Sequence, residues 1–269
     1  MKQKEIESML TSKLKTIEKR SSAICDSFDK ELIHDFRLSV KSLRSLLHLL
    51  ASNVDNNIKF RIPEKLKRLY DIAGIIRESE LEKEFLNRMQ VNVPKYAAFL
   101  DNTVKQKKKE WKKYYSRKVI RKASKKISAL KYKTLDAKSL SDFSNVCLMS
   151  LTRLKGSTAD SQLHKVRKNV KDILQLVKLI EKKAWTSAVL PNEFIIRELQ
   201  EIAQTIGDYN DERVAINHLD AFPLHVLSDD EKATIKKFRN VERKKLRFEK
   251  KLLVKTSRSA IVKIAKLVR

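Results

Sequence analysis

Three glycines and four prolines are all that punctuate this chain of 269 residues. At an average usage near 7%, a chain of this length would carry roughly nineteen glycines. Tight turns and hairpins draw on Gly, Pro, Asn and Asp clusters. Their scarcity argues against a sheet and for long helices joined by short polar loops. It also excludes two ligand-binding designs. A dinucleotide fingerprint needs three glycines close together, and a phosphate-binding loop needs two followed by Lys. Here Gly74, Gly156 and Gly207 lie far apart.

The few punctuating residues fall at a near-constant interval. Pro63 and Pro191 are 128 residues apart, Pro94 and Pro223 are 129, His34 and His164 are 130, and Gly74 and Gly207 are 133. One offset relating four pairs reads as two copies of a unit of about 130 residues. The strongest local match agrees: IHDFRLSVKSLRSLLHLL from Ile33 and LHKVRKNVKDILQLVKLI from Leu163 both read H-x-x-R-x-x-V-K before an apolar helix. Helical periodicity divides the first copy into segments near 2–24, 28–51, 62–91 and 94–133, and the second into 138–156, 159–183, 191–219 and 229–269. Ser27, Ser139, Asp160, Asn192 and Asp230 stand where N-caps or first-turn residues belong. Short connections between long amphipathic helices favour antiparallel neighbours. The expected fold is all-α, as two four-helix bundles related by an internal repeat: one domain over 1–269 with repeats 1–134 and 135–269.

The formal net charge is +27, and the hydrophobic fraction of 42% is too high for a disordered polycation. A charge this large opposes compaction and favours a polyanionic partner. It is concentrated. Residues 103–133 hold 14 Lys/Arg against one acid, Glu110, and residues 230–269 hold 15 against four. These are the last segments of the two copies. Within them Arg117, Arg121 and Lys125 form one cationic stripe. Arg239, Arg243, Arg247 and Lys250 form another, opposite Val241, Phe248 and Leu252, which with Leu253 supply the expected apolar periodicity. No apolar run is long enough for a membrane span. The opening MKQKEIESML has no apolar signal region, and Cys25 and Cys147 show no metal-ligand spacing. A reducing, cytoplasmic setting is expected, with no cofactor and no metal.

On a helix over residues 31–50, His34, Arg37, Lys41 and Arg44 share an arc of roughly 80°. Leu32, Phe36, Val40, Leu43, Leu47 and Leu50 lie mainly on the other side. His164, Arg167 and Lys171 repeat the stripe in the second copy, with Lys168 beside it. Such a stripe runs about 15 Å along the axis. Arg presents a planar fork to phosphate oxygens, Lys a compact charge, and His one N–H donor when neutral and two when protonated. A chain of successive phosphates suits this arrangement.

The twin H-x-x-R-x-x-V-K helices and the glycine-centred helices LKRLYDIAGIIRESE and LQEIAQTIGDYNDER resemble the CHAD family, the conserved-histidine α-helical domain. The likeness covers nearly the whole chain. It is best in HDFRLSVKSLR, through His34, Arg37, Lys41 and Arg44, and continues through His164, Arg167, Lys168 and Lys171. It implies two four-helix bundles with pseudo-twofold symmetry, a basic pore or groove between them that binds inorganic polyphosphate, and association with polyphosphate granules. This chain departs from the family pattern where Asp172 and Leu174 stand at positions that are often basic, so the second half of the site is expected to bind more weakly. No E-x-E-x-K motif of the fused triphosphate tunnel enzymes occurs, so binding rather than hydrolysis is carried over.

Bland alternatives accompany each motif. His48, His218 and His225 lack basic company and read as structural. Gly74 and Gly207 cost roughly 1 kcal/mol each inside a helix and read as sites of close packing or a kink. Glu31-x-x-His34 matches half of a di-iron pair, but Ser161 stands where the second glutamate would be. Trp111, Tyr114 and Tyr115 have the spacing of core aromatics rather than base-stacking ones. Two rival functions remain: a basic helical protein that binds nucleic acid, and an enzyme using His34 or His164, which lack matching orienting carboxylates.

Overall fold

The computed structural model describes residues 2–54, 60–153, 160–181 and 193–267. Among them the chain forms nine α-helices and no strand: α1 Gln3–Ser27, α2 Lys30–Ser52, α3 Glu64–Arg88, α4 Pro94–Tyr114, α5 Arg117–Ser128, α6 Ala137–Arg153, α7 Asp160–Glu181, α8 Glu193–Ala221 and α9 Asp229–Leu267. A short 3-10 turn, Leu224–Val226, precedes α9. Among the described residues no helix is long and apolar enough to cross a membrane. The helices pack into two compact units, Met1–Leu86 with Tyr96–Ser139, and Asn87–Lys95 with Leu140–Arg269.

In the first unit α1 turns into α2 within three residues. Phe28 takes the left-handed conformation (φ 51°) and its N–H reaches back to the Ile24 carbonyl. Asp29 then caps α2, accepting from the N–H groups of Glu31 and Leu32. Ser27, a candidate cap by sequence, is instead the last residue of α1. Its Oγ accepts from the Asp29 N–H at 3.2 Å, which positions the true cap. At α6, Ser139 lies in the first turn and donates through N–H and Oγ to Asp136, 2.7 Å each. At α9, Asp230 lies in the first turn, and Ser228 and Glu231 exchange bonds as a capping box. Asn192 lies outside the described residues.

The segment read as one helix over 94–133 is two. The Tyr115 N–H closes α4 on the Trp111 carbonyl at 2.8 Å, and Ser116 is extended (φ −153°, ψ 151°) before α5 begins. The aromatic anchor explains the break. Trp111 is fully buried, meets Phe36 edge-on at 5.2 Å between ring centroids, and stacks on Tyr115 at 6.1 Å. Its indole N–H points to Cys25 Sγ at 3.3 Å. A straight continuation would follow the α4 axis past this anchor. The extended residue redirects the chain so that Ile120, Ala123 and Ile127 are buried, with α5 packed on α1.

The two cores are apolar seams of the expected period. Ile17, Phe36, Val40, Leu47, Leu66 and Leu69 are sealed in the first unit, and Val170, Ile173, Leu199 and Ile235 in the second. The α9 helix departs from its expected register. Of the four residues read as its apolar periodicity, Val241, Phe248 and Leu252 are 57%, 69% and 51% exposed, and Leu253 alone is buried. The buried seam runs instead through Ile235, Glu242, Leu246, Leu253 and Ser257. Truncating the aromatic anchor, Trp111→Ala, should destabilise the chain by about 3–5 kcal/mol. Urea denaturation followed by circular dichroism measures this.

Candidate functional site

The α2 stripe lies where the periodicity put it, on the side of the helix away from Phe36, Val40 and Leu43. His34, Arg37 and Lys41 are half-buried and Arg44 is exposed. The stripe has two flanks that the sequence motif does not reveal. From α1, Arg20 pairs with Asp35 at 2.8 Å, donates to the Asp35 carbonyl at 2.8 Å and also bonds Ser39, while Lys13 donates to Ser42 at 2.5 Å. From α3, Tyr70 receives both arginines. The Arg37 guanidinium stands 4.6 Å from its ring centroid and that of Arg44 4.9 Å.

Arg37 is held more closely still. Its Nη1 donates to the Tyr70 carbonyl at 3.2 Å and its Nη2 lies 3.6 Å from Glu78. Its side chain is only 15% exposed. The space it fills exists because residue 74 is glycine: a Cβ there would lie well inside van der Waals contact of Arg37 Nη1. The close packing expected at Gly74 is therefore the packing of a guanidinium against a helix backbone. The same relation recurs in the second unit, where a Cβ on Gly207 would come within 3.1 Å of Arg167 Nη2.

The remainder of the second unit's stripe differs. His164 and Lys168 are exposed, and Arg167 and Lys171 are half-buried. Taking Gly74 with Gly207 as the register, Ala203 stands where Tyr70 does, so Arg167 has no ring beneath it at that position. Its Nε is buried with no hydrogen-bond partner among the described residues. Burial holds the Lys171 ammonium below the usual lysine range and the positive charge of Arg167 adds to this, with Asp211 opposing. Asp172, at a position where the stripe could have been extended, is buried. Burial and that carboxylate push the neighbouring Cys147 thiol up to about 12.

The stripes of the basic last segments diverge. In α9, Arg239 and Arg243 both pair with Asp220 of α8, and Lys250 reaches Asp160 at the start of α7 at 2.8 Å. Arg213 and Tyr209 also converge on Asp160, at 3.7 and 3.1 Å. These cations fasten helices to one another. Arg247 is exposed and has no acidic partner among the described residues. In α5, Arg117, Arg121 and Lys125 are all exposed, with no acidic partner among the described residues. His48, His218 and His225 are exposed, outside either stripe.

The glycine notch separates stability from binding. Gly74→Ala should hold or raise stability, since alanine gains roughly 1 kcal/mol in a helix interior and the group it displaces is the end of a flexible side chain. Anion affinity should fall because Arg37 leaves its seat. Gly207→Ala, with its looser contact, should do the same more weakly; thermal melts and titration with a linear polyanion measure both. Lys171→Met is expected to raise stability at neutral pH. The penalty of a lowered lysine pKa is fully present below both its folded and unfolded values, and fades only as pH rises through the folded one. The same substitution should weaken anion binding.

No curated protein matches the chain in sequence. A solved structure described as the CHAD domain from the plant Ricinus communis superposes with a TM-score of 0.66 at 15% identity, covering 95% of this chain and 90% of that one. The likeness extends to the overall helical fold. The family model described as CHAD domain matches residues 8–220, and with it the α2 and α7 helices and both glycine notches. The chain belongs to the CHAD domain family.

Proposed function

We propose that this protein is a non-enzymatic binder of inorganic polyphosphate, using the cationic faces of α2 and α7. The observation that carries the reading is the paired notch. In each unit an arginine of the H-x-x-R helix lies against a helix glycine, Arg37 at Gly74 and Arg167 at Gly207. A glycine in a helix interior is unfavourable by roughly 1 kcal/mol relative to alanine. Fixing a guanidinium is a reason to retain it twice. Each fixed fork, with His34, Lys41 and Arg44 or His164, Lys168 and Lys171 alongside, offers donors and charge in a line rather than in a closed pocket. A linear polymer of phosphates matches a line of donors. Membership of the CHAD family supports the same ligand.

The recurrence also supports reading the chain as two copies of a four-helix unit within one domain, 1–134 and 135–269. A cytoplasmic protein that associates with polyphosphate granules is the corresponding cellular role. Arg239, Arg243 and Lys250 contribute mainly by holding α9, since their charges already meet Asp220 and Asp160. Nucleic acid is the competing ligand. The basic surface would meet its phosphates, but the Trp111 ring that could stack on bases is buried.

Affinity for long-chain polyphosphate should fall steeply with added salt, because each neutralised phosphate releases condensed counterions. The double variant His34→Ala/His164→Ala should bind at least about tenfold more weakly, a loss of about 1.4 kcal/mol. Wild-type affinity in that variant would remove the assigned site. Competition with duplex DNA at equal phosphate concentration separates the two ligands, and phosphate release in the presence of a divalent metal would overturn the non-enzymatic reading.

A further inference from the structure

The short helix α5 is electrostatically at odds with its own fold. Six of its twelve residues are basic and none is acidic. With Lys112 and Lys113 at the end of α4, eight bases occur between Trp111 and Ser128 with no acid among them. All eight are exposed, and none has an acidic partner among the described residues. Along α5 they repel in register: Arg117 and Arg121, Lys118 and Lys122, Arg121 and Lys125, Lys122 and Lys126 are each four apart, a spacing at which like charges destabilise a helix.

The ends of the helix add to this. Lys112 and Lys113 sit at the C-terminus of α4, where cations complement the helix dipole, but Arg117 and Lys118 occupy the N-terminal turn of α5, where they oppose it. Ser116 makes no side-chain cap bond there. A helix of twelve residues is marginal alone even with favourable charges. The apolar grip of α5 comes from Ile120, Ala123 and Ile127. The cations of α9 offer the contrast, since several of them are matched to Asp220, Asp160 and Glu212.

We infer that α5 is a polyanion-docking helix whose order depends on its ligand: a linear polyphosphate laid across its outer face supplies the negative charge the helix lacks and holds it against α1. The nature of the polyanion rests on the function proposed above, whereas the coupling of helix order to bound negative charge follows from α5 itself. Docking here would add a length of polymer to that bound by the α2 stripe. It would therefore favour long chains over short ones.

Hydrogen exchange read by mass spectrometry on the full chain at low ionic strength tests this. In the free protein the amides of residues 117–128 should exchange faster than those of α2, and moderate salt should slow them by screening the repulsion. Long-chain polyphosphate should slow them by at least about fivefold, and tripolyphosphate much less. The exposed double variant Arg121→Gln/Lys125→Gln gives the decisive signature: slower exchange than wild type when free, and loss of most of the polyphosphate-induced slowing. Faster exchange in the free variant would overturn the inference. So would polyphosphate that protects α2 and α7 while leaving 117–128 unchanged, which would leave the proposed function standing. Protection of no segment by polyphosphate would overturn both. Protection of 117–128 by duplex DNA but not by polyphosphate would make α5 a nucleic-acid surface and overturn the assignment made here.

Discussion

A guanidinium resting against a helix backbone is the contact on which the candidate site depends. Arg37 can lie against α3 only because residue 74 has no Cβ. Once there, it is fixed by the Tyr70 carbonyl, the Tyr70 ring and Glu78. A long cationic side chain normally loses much rotamer freedom on binding a ligand, at a cost of roughly 0.5–1.5 kcal/mol. For Arg37 that loss is taken during folding. Tyr70 extends the effect to Arg44, whose guanidinium shares the same ring. Stacking on an aromatic face leaves the in-plane N–H groups free to point elsewhere, so the ring orients both forks without consuming their donors. Keeping two guanidinium groups around one ring in a chain of net charge +27 is unfavourable by itself. Glu78 offsets part of this at one edge, and a bound phosphate would offset the rest.

The same total charge is handled in two ways elsewhere. In α9 it is distributed over carboxylates of neighbouring helices: Asp220 takes Arg239 and Arg243, Asp160, which also takes Arg213 of α8, takes Lys250, and Glu212 takes Lys245. Those pairs are individually modest because they are partly solvated, but they join α7, α8 and α9. Among the described residues α5 meets no such acid. Lys/Arg counts by segment cannot distinguish these cases, because the deciding residues lie on other helices.

This is also the limit of what the sequence discloses. Helical class, the division into helical segments other than 94–133 and the stripe on α2 follow from periodicity, which is a local property. The role of glycine was half legible. The offset of 133 residues between Gly74 and Gly207, close to the 130 between His34 and His164, marks the glycines as equivalent, but only packing reveals that each faces the arginine of the H-x-x-R motif. Tyr70, Arg20 and Lys13 carry no motif; their relevance comes from lying beside α2 in space. The break at Tyr115 and Ser116 was hidden because both flanking stretches are good helix formers, and the cause is a tertiary anchor at Trp111. The α9 register misled for a related reason. Val241, Phe248 and Leu252 form a regular apolar stripe, yet the buried seam falls on another side of the helix, through a line that includes Glu242 and Ser257. Periodicity identifies a face, and neighbours decide whether it is covered.

The two units hold their stripes by different physical means. In the first, Tyr70 and Glu78 give Arg37 an aromatic surface and a counter-charge, so the cation is oriented and partly compensated. In the second, Ala203 offers no ring, Arg167 Nε has no hydrogen-bond partner among the described residues, and the Lys171 pKa is depressed by burial and by Arg167 itself. The first stripe is therefore preorganised, and an anion docked there would gain from geometry already set. The second is under electrostatic stress, and an anion would gain by relieving it. Asp172 does not extend the second stripe, but its burial beside Cys147 keeps its carboxylate from projecting into solvent against an incoming phosphate. The sequence departure at position 172 thus shortens the cationic line rather than placing a repelling charge on its surface. Two equivalent helices, one ordered by a ring and the other strained by burial, would respond differently to pH: the second stripe carries the lysine whose proton is held less firmly, so alkaline conditions weaken it first.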